Sequence, residues 1–205
     1  MPRLYDYLDS GNGYKIRLIL AQTRQAYSRT ELDIDKGETR TPQFLAKNPN
    51  GRIPTLELDD GTFLAESDAI LWYLAEGTPF VPSDRIGRAQ VLQWMFFEQY
   101  SHEPYVATPR YIVRHLPKDS PRYAELPDRM KRGRDALGVM DKHLQSRTFF
   151  VGERYSIADI ALYAYTHVAP QAGAGLDLAP FPSVLAWLGR VAAQPKHIPI
   201  TYRPG

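Results

Sequence analysis

Hydrophobic and polar positions over the first 76 residues follow two periods in turn. Residues 4–8 form a tyrosine-containing run that suits a short strand, and Asp9-Ser10-Gly11-Asn12-Gly13 reads as a turn. Tyr14, Leu18, Ala21 and Gln22 then recur at helical spacing and predict a helix over 14–25. Thr30, Leu32 and Ile34 alternate with polar residues, the mark of a second strand. Thr41 and Pro42 can cap and start a short helix through residue 47, which Pro49 and Gly51 stop. Strand character returns over 55–58, Asp60-Gly61 supplies a tight turn, and 62–64 completes a hairpin. Ser67 is expected to cap a helix ending at residue 76. The order is βαβ, one further turn of helix, then ββα.

The pattern changes after residue 76. Gly77-Thr78-Pro79-Phe80-Val81-Pro82-Ser83-Asp84 has linker composition, and helical periodicity dominates the remainder of the chain, over 85–107, 128–145, 156–169 and 182–193. Pro104 and Pro109 should bend or interrupt the first of these helices. Ser156-Ile157-Ala158-Asp159 is a capping box with Asp in its third position. The reading is an α/β domain over 1–76, a linker over 77–86 and an all-α domain over 87–205.

Composition narrows the chemistry. A net charge of +2 with scattered basic residues lacks the basic stripe of a nucleic-acid binder. The longest apolar runs fall far short of the roughly 20 residues a membrane span needs, and the start of the chain carries no signal-peptide pattern. A cytosolic protein with no membrane or nucleic-acid partner is the expectation. The five histidines show no metal-ligand spacing, so no metal is expected. Gly11-x-Gly13 follows a strand but lacks the third glycine of a dinucleotide fingerprint, Ile16 standing in its place. There is no cysteine, so any thiol chemistry must use a thiol brought in by a ligand.

Two segments suggest what that ligand is. Asn48-Pro49-Asn50-Gly51-Arg52-Ile53-Pro54-Thr55-Leu56 describes a turn that delivers a backbone edge at Ile53-Pro54. Glu66-Ser67-Asp68-Ala69-Ile70 describes a helix that opens with an acid and a hydroxyl. Together they could hold an extended peptide by its main chain while a helix N-terminus takes a carboxylate.

Over nearly its whole length the chain resembles the cytosolic glutathione transferase superfamily, most of all its bacterial, theta-like or nu-like members. The residues that carry the likeness are Ser10-Gly11-Asn12-Gly13-Tyr14-Lys15, Asn50 through Leu56, Glu66 through Ile70, and Ser156-Ile157-Ala158-Asp159-Ile160-Ala161. The resemblance implies a thioredoxin-like first domain with a mixed sheet, an all-α helical bundle completing the pocket for an electrophile, and a homodimer. It also implies glutathione as co-substrate and a cis bond at Ile53-Pro54. A free thiol near pKa 8.5 must be ionised. The family likeness makes Ser10 the principal hydrogen-bond donor to the thiolate and Asn12 its helper, aided by the helix N-terminus. Both also serve as ordinary turn and cap residues, and Tyr5 and Tyr7 are rival donors.

By the same likeness Ile53 and Pro54 hold the cysteinyl backbone, and Glu66 and Ser67 the γ-glutamyl end. Arg52, Arg40 and Lys36 are candidates for the glycyl carboxylate, Thr39 standing where related members often have histidine. Tyr105, Arg110 and Tyr163 are the expected wall of the second-substrate pocket, and Asp159 is read as structural. The expected activity is detoxifying conjugation of glutathione to a small electrophile. The alternatives are glutathione-dependent reduction of a disulfide or peroxide, and a non-enzymatic ligand-binding or assembly module.

Overall fold

Strand β1 (Arg3–Asp6) lies inside a four-stranded sheet of order β2-β1-β3-β4, with β2 at Ser28–Glu31, β3 at Thr55–Glu57 and β4 at Phe63–Ala65. β2 runs parallel to β1, a pairing that requires a crossover, and helix α1 (Gly11–Thr23) provides it. β3 is antiparallel to β1, and β4 to β3, so the sheet is mixed. The register places Tyr5 opposite Thr55 and Thr55 opposite Ala65. The end of β1, the start of β3 and the end of β4 therefore share one end of the sheet. The turn before α1, the Ile53-Pro54 corner and the start of helix α3 (Ser67–Ala75) are attached at that end.

The computed structural model describes residues 1–203, which divide into two compact units. The first comprises Met1–Thr78 together with the residues from 195 onward. Its core is built on Leu4 and Leu56 of the sheet, Ile16, Leu18, Ile19 and Leu20 of α1, and Ile70 and Leu71 of α3, all without exposure. Lys15 and Arg17 of α1 are buried as completely. The helix can lie this close to β1 because residue 13 is glycine. A Cβ there would fall 1.6 Å from Asp6 Oδ1. α1 begins at Gly11 rather than at Tyr14, because the Ser10 hydroxyl accepts from the Gly13 N–H at 3.2 Å and caps it.

Residues 195–203 were expected in the helical domain and belong to the first unit instead. Arg17 Nη1 donates to the carbonyls of Ile200 (2.5 Å) and Tyr202 (3.2 Å), and Tyr14 Oη donates to Ile198 O at 2.6 Å. These carbonyls satisfy a guanidinium that burial would otherwise strand.

The second unit, Pro79–Gln194, is helical. Its helices are α4 (Arg85–Phe97), α5 (Glu103–His115), α6 (Leu126–Leu144), α7 (Ile157–Thr166) and α8 (Pro182–Ala192). The expected single helix after residue 85 is two, joined by a π-helical turn over Glu98–His102. Pro104 follows that turn and brings no N–H to a regular ladder, while Pro109 lies within α5. The core brings together Trp94, Phe150 and Trp187, the first pair tilted and the second edge-to-face, with ring centroids 4.6 and 5.1 Å apart. Beneath them Asp159 is fully buried. Its carboxylate accepts from the N–H groups of Ser156 (2.9 Å) and Phe150 (3.1 Å), the Ser156 hydroxyl (3.1 Å) and Trp187 Nε1 (2.9 Å). Burial pushes this carboxyl up to about 6, against the pull of those donors.

Candidate functional site

Ser10 and Asn12 sit at the N-terminus of α1, where free N–H groups and the helix dipole favour an anion. Ser10 accepts one bond from Gly13 N–H as a cap, and its own hydroxyl hydrogen has no acceptor among the described residues. Cap and donor are thus compatible roles for one hydroxyl. The Asn12 Oδ1 atom accepts from Ser67 Oγ at 3.3 Å, which ties the turn after β1 to the start of α3.

α3 opens differently from the expectation. The cap position is Glu66, at φ 65 and ψ 114, and it gives no side-chain bond to the helix. Ser67 is the first helical residue, buried, with its hydroxyl engaged by Asn12 and by Lys15 Nζ at 3.2 Å. A glutamate at positive φ costs on the order of 1–2 kcal/mol, strain that gathers at functional sites. Lys15 Nζ also lies 3.0 Å from Asp68 Oδ1, while the buried Asp68 Oδ2 has no partner among the described residues. The start of α3 thus combines an uncapped helix end, a buried cation and an unpartnered carboxylate oxygen.

The Ile53-Pro54 bond is cis. The ladder of β3 begins only at Thr55, leaving the Ile53 backbone outside the sheet. Asn48, 3% exposed, holds this corner. Its Nδ2 donates to Arg52 O (2.8 Å) and Thr55 Oγ1 (3.2 Å), and its Oδ1 accepts from Asn50 N–H at 3.0 Å. Gly51 completes the turn at φ 60, where a Cβ would meet Arg40 Nη1 at 2.6 Å. The three sequence-predicted segments are therefore at one end of one sheet, and two of them are hydrogen-bonded to each other.

Other candidates are committed elsewhere. The Tyr5 hydroxyl, on a ring 7% exposed, donates to Glu57 Oε2 at 2.6 Å. Burial and the surrounding Asp35, Asp9, Asp33 and Glu31 push Tyr7 up, a setting that opposes a second anion. Arg40 Nη1 donates to Asn50 O at 3.0 Å and Lys36 pairs with Asp33 at 2.9 Å, while Arg52 stands exposed.

In the helical unit Tyr105 lines a depression of about 350 Å³ with Phe97, Tyr100, Ser101, Arg132 and Val139. The cation beside it is not Arg110, which is 4% exposed with Nε on Gln171 Oε1 at 2.7 Å. It is Arg132, whose Nη1 reaches the Tyr105 hydroxyl at 3.2 Å. The Asp128/Arg132 spacing of four residues on α6 was the signal in the sequence. Tyr163 is a core residue, 5% exposed, stacked on His167 and set edge-on to Trp187. No cluster of three metal-ligating side chains occurs among the described residues, and no helix among them is long and apolar enough to cross a membrane.

A thioredoxin-like sheet with this end, in a chain that continues as a helical unit, defines the glutathione S-transferase class. The family's N-terminal domain matches residues 2–76 and its C-terminal domain residues 94–195, and the chain belongs to that family. It is 32% identical over 195 residues to the disulfide-bond oxidoreductase YfcG of Escherichia coli, spanning 90% of this chain and 87% of that protein. The fold matches a glutathione S-transferase from Pseudomonas fluorescens with a TM-score of 0.92 and 52% identity, over 97% of this chain and 98% of the other. It also matches a Burkholderia graminis glutathione transferase with two glutathione molecules bound per subunit. There the TM-score is 0.84 and the identity 29%, over 95% and 85% of the two chains.

Proposed function

We propose that this chain is a glutathione transferase that ionises bound glutathione and delivers the thiolate to a small electrophile. The observation that carries the reading is the pair of uncommitted donors, Ser10 Oγ–H and Asn12 Nδ2–H, at the positive end of α1 and beside the uncapped start of α3. In this reading Ser10 donates to the sulfur with Asn12 assisting, and the helix end adds its field. The Ile53 backbone pairs with the cysteinyl unit as an added strand. Ser67 N–H faces the γ-glutamyl carboxylate, and Asp68 or Glu66 its ammonium. Arg52 is the exposed cation left for the glycyl end. Tyr105 and Arg132, rather than Arg110 and Tyr163, are the candidate aromatic and cationic contacts in the helical unit. A homodimer belongs to the same reading, supported by the exposed Tyr73, Phe96 and Tyr100.

The thiolate absorbance of bound glutathione, followed against pH, tests this. Ser10→Ala should raise the ionisation midpoint by about one pH unit, roughly a tenfold loss of thiolate at neutral pH. An unchanged midpoint with glutathione bound would remove Ser10 from the role.

A second reading has support of its own: likeness to a disulfide-bond oxidoreductase, and to a transferase holding two glutathione molecules. With no cysteine in the chain, both electrons would come from two glutathiones. The first thiolate attacks the substrate disulfide and expels one thiolate. The second attacks the mixed disulfide, giving oxidised glutathione and the other substrate thiol. Turnover compared on a small disulfide and on an aromatic halide separates the two readings.

A further inference from the structure

Lys15 is wholly buried, and a buried ammonium must be met by acceptors. It meets Ser67 Oγ at 3.2 Å and Asp68 Oδ1 at 3.0 Å. An ammonium can only donate, so at Ser67 it takes a lone pair and leaves the hydroxyl hydrogen to go elsewhere. That hydrogen goes to Asn12 Oδ1 at 3.3 Å. An amide whose oxygen is held inward turns its Nδ2 outward, and no acceptor among the described residues takes those hydrogens. The relay thus has a direction, from Nζ–H to Oγ, from Oγ–H to Oδ1, ending in two outward donors. Without the cation, Ser67 could donate to Asp68 and accept from Asn12 Nδ2. Asn12 would then present an oxygen, which repels a thiolate.

We propose that Lys15 is a positioning residue whose buried ammonium orients the Ser67 hydroxyl, and through it the Asn12 amide, so that Asn12 offers a donor rather than an acceptor to the sulfur. The proposal rests on the glutathione reading above, yet the orientation itself belongs to the ligand-free protein. It differs from a plain Lys15–Asp68 ion pair, which would add stability and leave the Asn12 amide indifferent.

The variant K15M/D68N removes both buried charges together and leaves Ser67 in place. Two readouts decide. The first is NMR of the Asn12 side-chain amide. In the ligand-free wild type the outward Asn12 amide protons have no acceptor and should exchange freely with solvent. In the variant, where Nδ2–H can donate to Ser67 Oγ, one of them should exchange about tenfold more slowly. With saturating glutathione, the thiol midpoint should rise by about one pH unit in the variant. A folded variant with Asn12 exchange and thiol midpoint both at wild-type values would overturn the proposal while leaving the glutathione site intact. Should K15M/D68N not fold, Ser67→Ala cuts the relay at its middle, and there the thiol midpoint decides: a rise of about one pH unit supports the proposal and a wild-type midpoint overturns it. If the wild-type protein binds no glutathione, the functional reading fails, and the amide measurement alone still decides whether Lys15 orients Asn12.

Discussion

In the helical unit the buried Asp159 carboxylate collects four donors and serves the core, whereas the first unit carries buried charge on Asp6, Lys15, Arg17 and Arg29. Asp159 is surrounded by aromatic rings and the start of α7, and its bonds close on themselves. In the first unit Asp6 lies 2.9 Å from both Arg17 Nε and Arg29 Nε. Burial pushes the Asp6 carboxyl up and the two guanidiniums pull it down. The remaining valences of this group lead outward. Arg17 Nη2 donates to Leu8 O at 2.7 Å, next to the turn that carries Ser10, and Nη1 holds residues beyond 194. One arrangement stabilises a fold, while the other ties the fold to the segments that carry the candidate chemistry.

Four substitutions break or sharpen that contrast. Asp159→Ala strands three buried N–H donors and should cost the helical unit about 3–5 kcal/mol, read by urea unfolding at neutral pH. The same residue sets a pH dependence. Its folded pKa lies above its unfolded one, so its contribution is full below about pH 4 and is lost as pH rises through about 6. That slope, worth about 3 kcal/mol from the size of the shift, should vanish in the variant.

Arg17→Met should cost the first unit about 2–4 kcal/mol, by removing one of two guanidiniums from buried Asp6 and several carbonyl bonds. Hydrogen exchange over 195–203 should accelerate in parallel. If the loss of stability leaves that exchange unaltered, the link between charge cluster and chain end is wrong. Asn48→Ala deletes the bonds that fix the Arg52–Thr55 corner. It should cost about 2 kcal/mol and weaken glutathione binding about tenfold by calorimetry, with the thiol midpoint unmoved. Tyr5→Phe is the smallest. It should cost about 1 kcal/mol through Glu57 and leave the thiolate titration at its wild-type position. A shifted titration would return Tyr5 to the candidates for the sulfur donor.

The architecture was legible wherever local chemistry and packing agree. Asp60-Gly61 marked the β3–β4 turn and Ser156 with Asp159 marked α7, whereas of the alternating Thr30, Leu32 and Ile34 only Thr30 falls in β2. The site segments were legible too, because turn and cap residues announce themselves. What escaped was three-dimensional. Lys15 and Arg17 are cations in the middle of α1, yet both are buried. Nothing in periodicity tells a buried cation from a solvated one until its acceptors, 52 and more than 180 residues away, are known. Ser67 looked like a cap since a hydroxyl before an apolar run usually is one. The positive φ of Glu66 shifts the helix start by one residue and moves that hydroxyl inward. Arg110 and Tyr163 have the chemical type and helical spacing of pocket residues, but packing places both in the core.

The return of residues 195–203 to the first unit has a consequence for how the chain is made. On a ribosome the sheet and α1–α3 emerge first, but the carbonyls of Ile198, Ile200 and Tyr202 that satisfy Tyr14 and Arg17 emerge only after the whole helical unit. The first unit to be synthesised is thus the last to be completed. Until then the Arg17 guanidinium in α1 keeps Asp6 and Leu8 O as partners, but its Nη1 waits for the carbonyls of Ile200 and Tyr202.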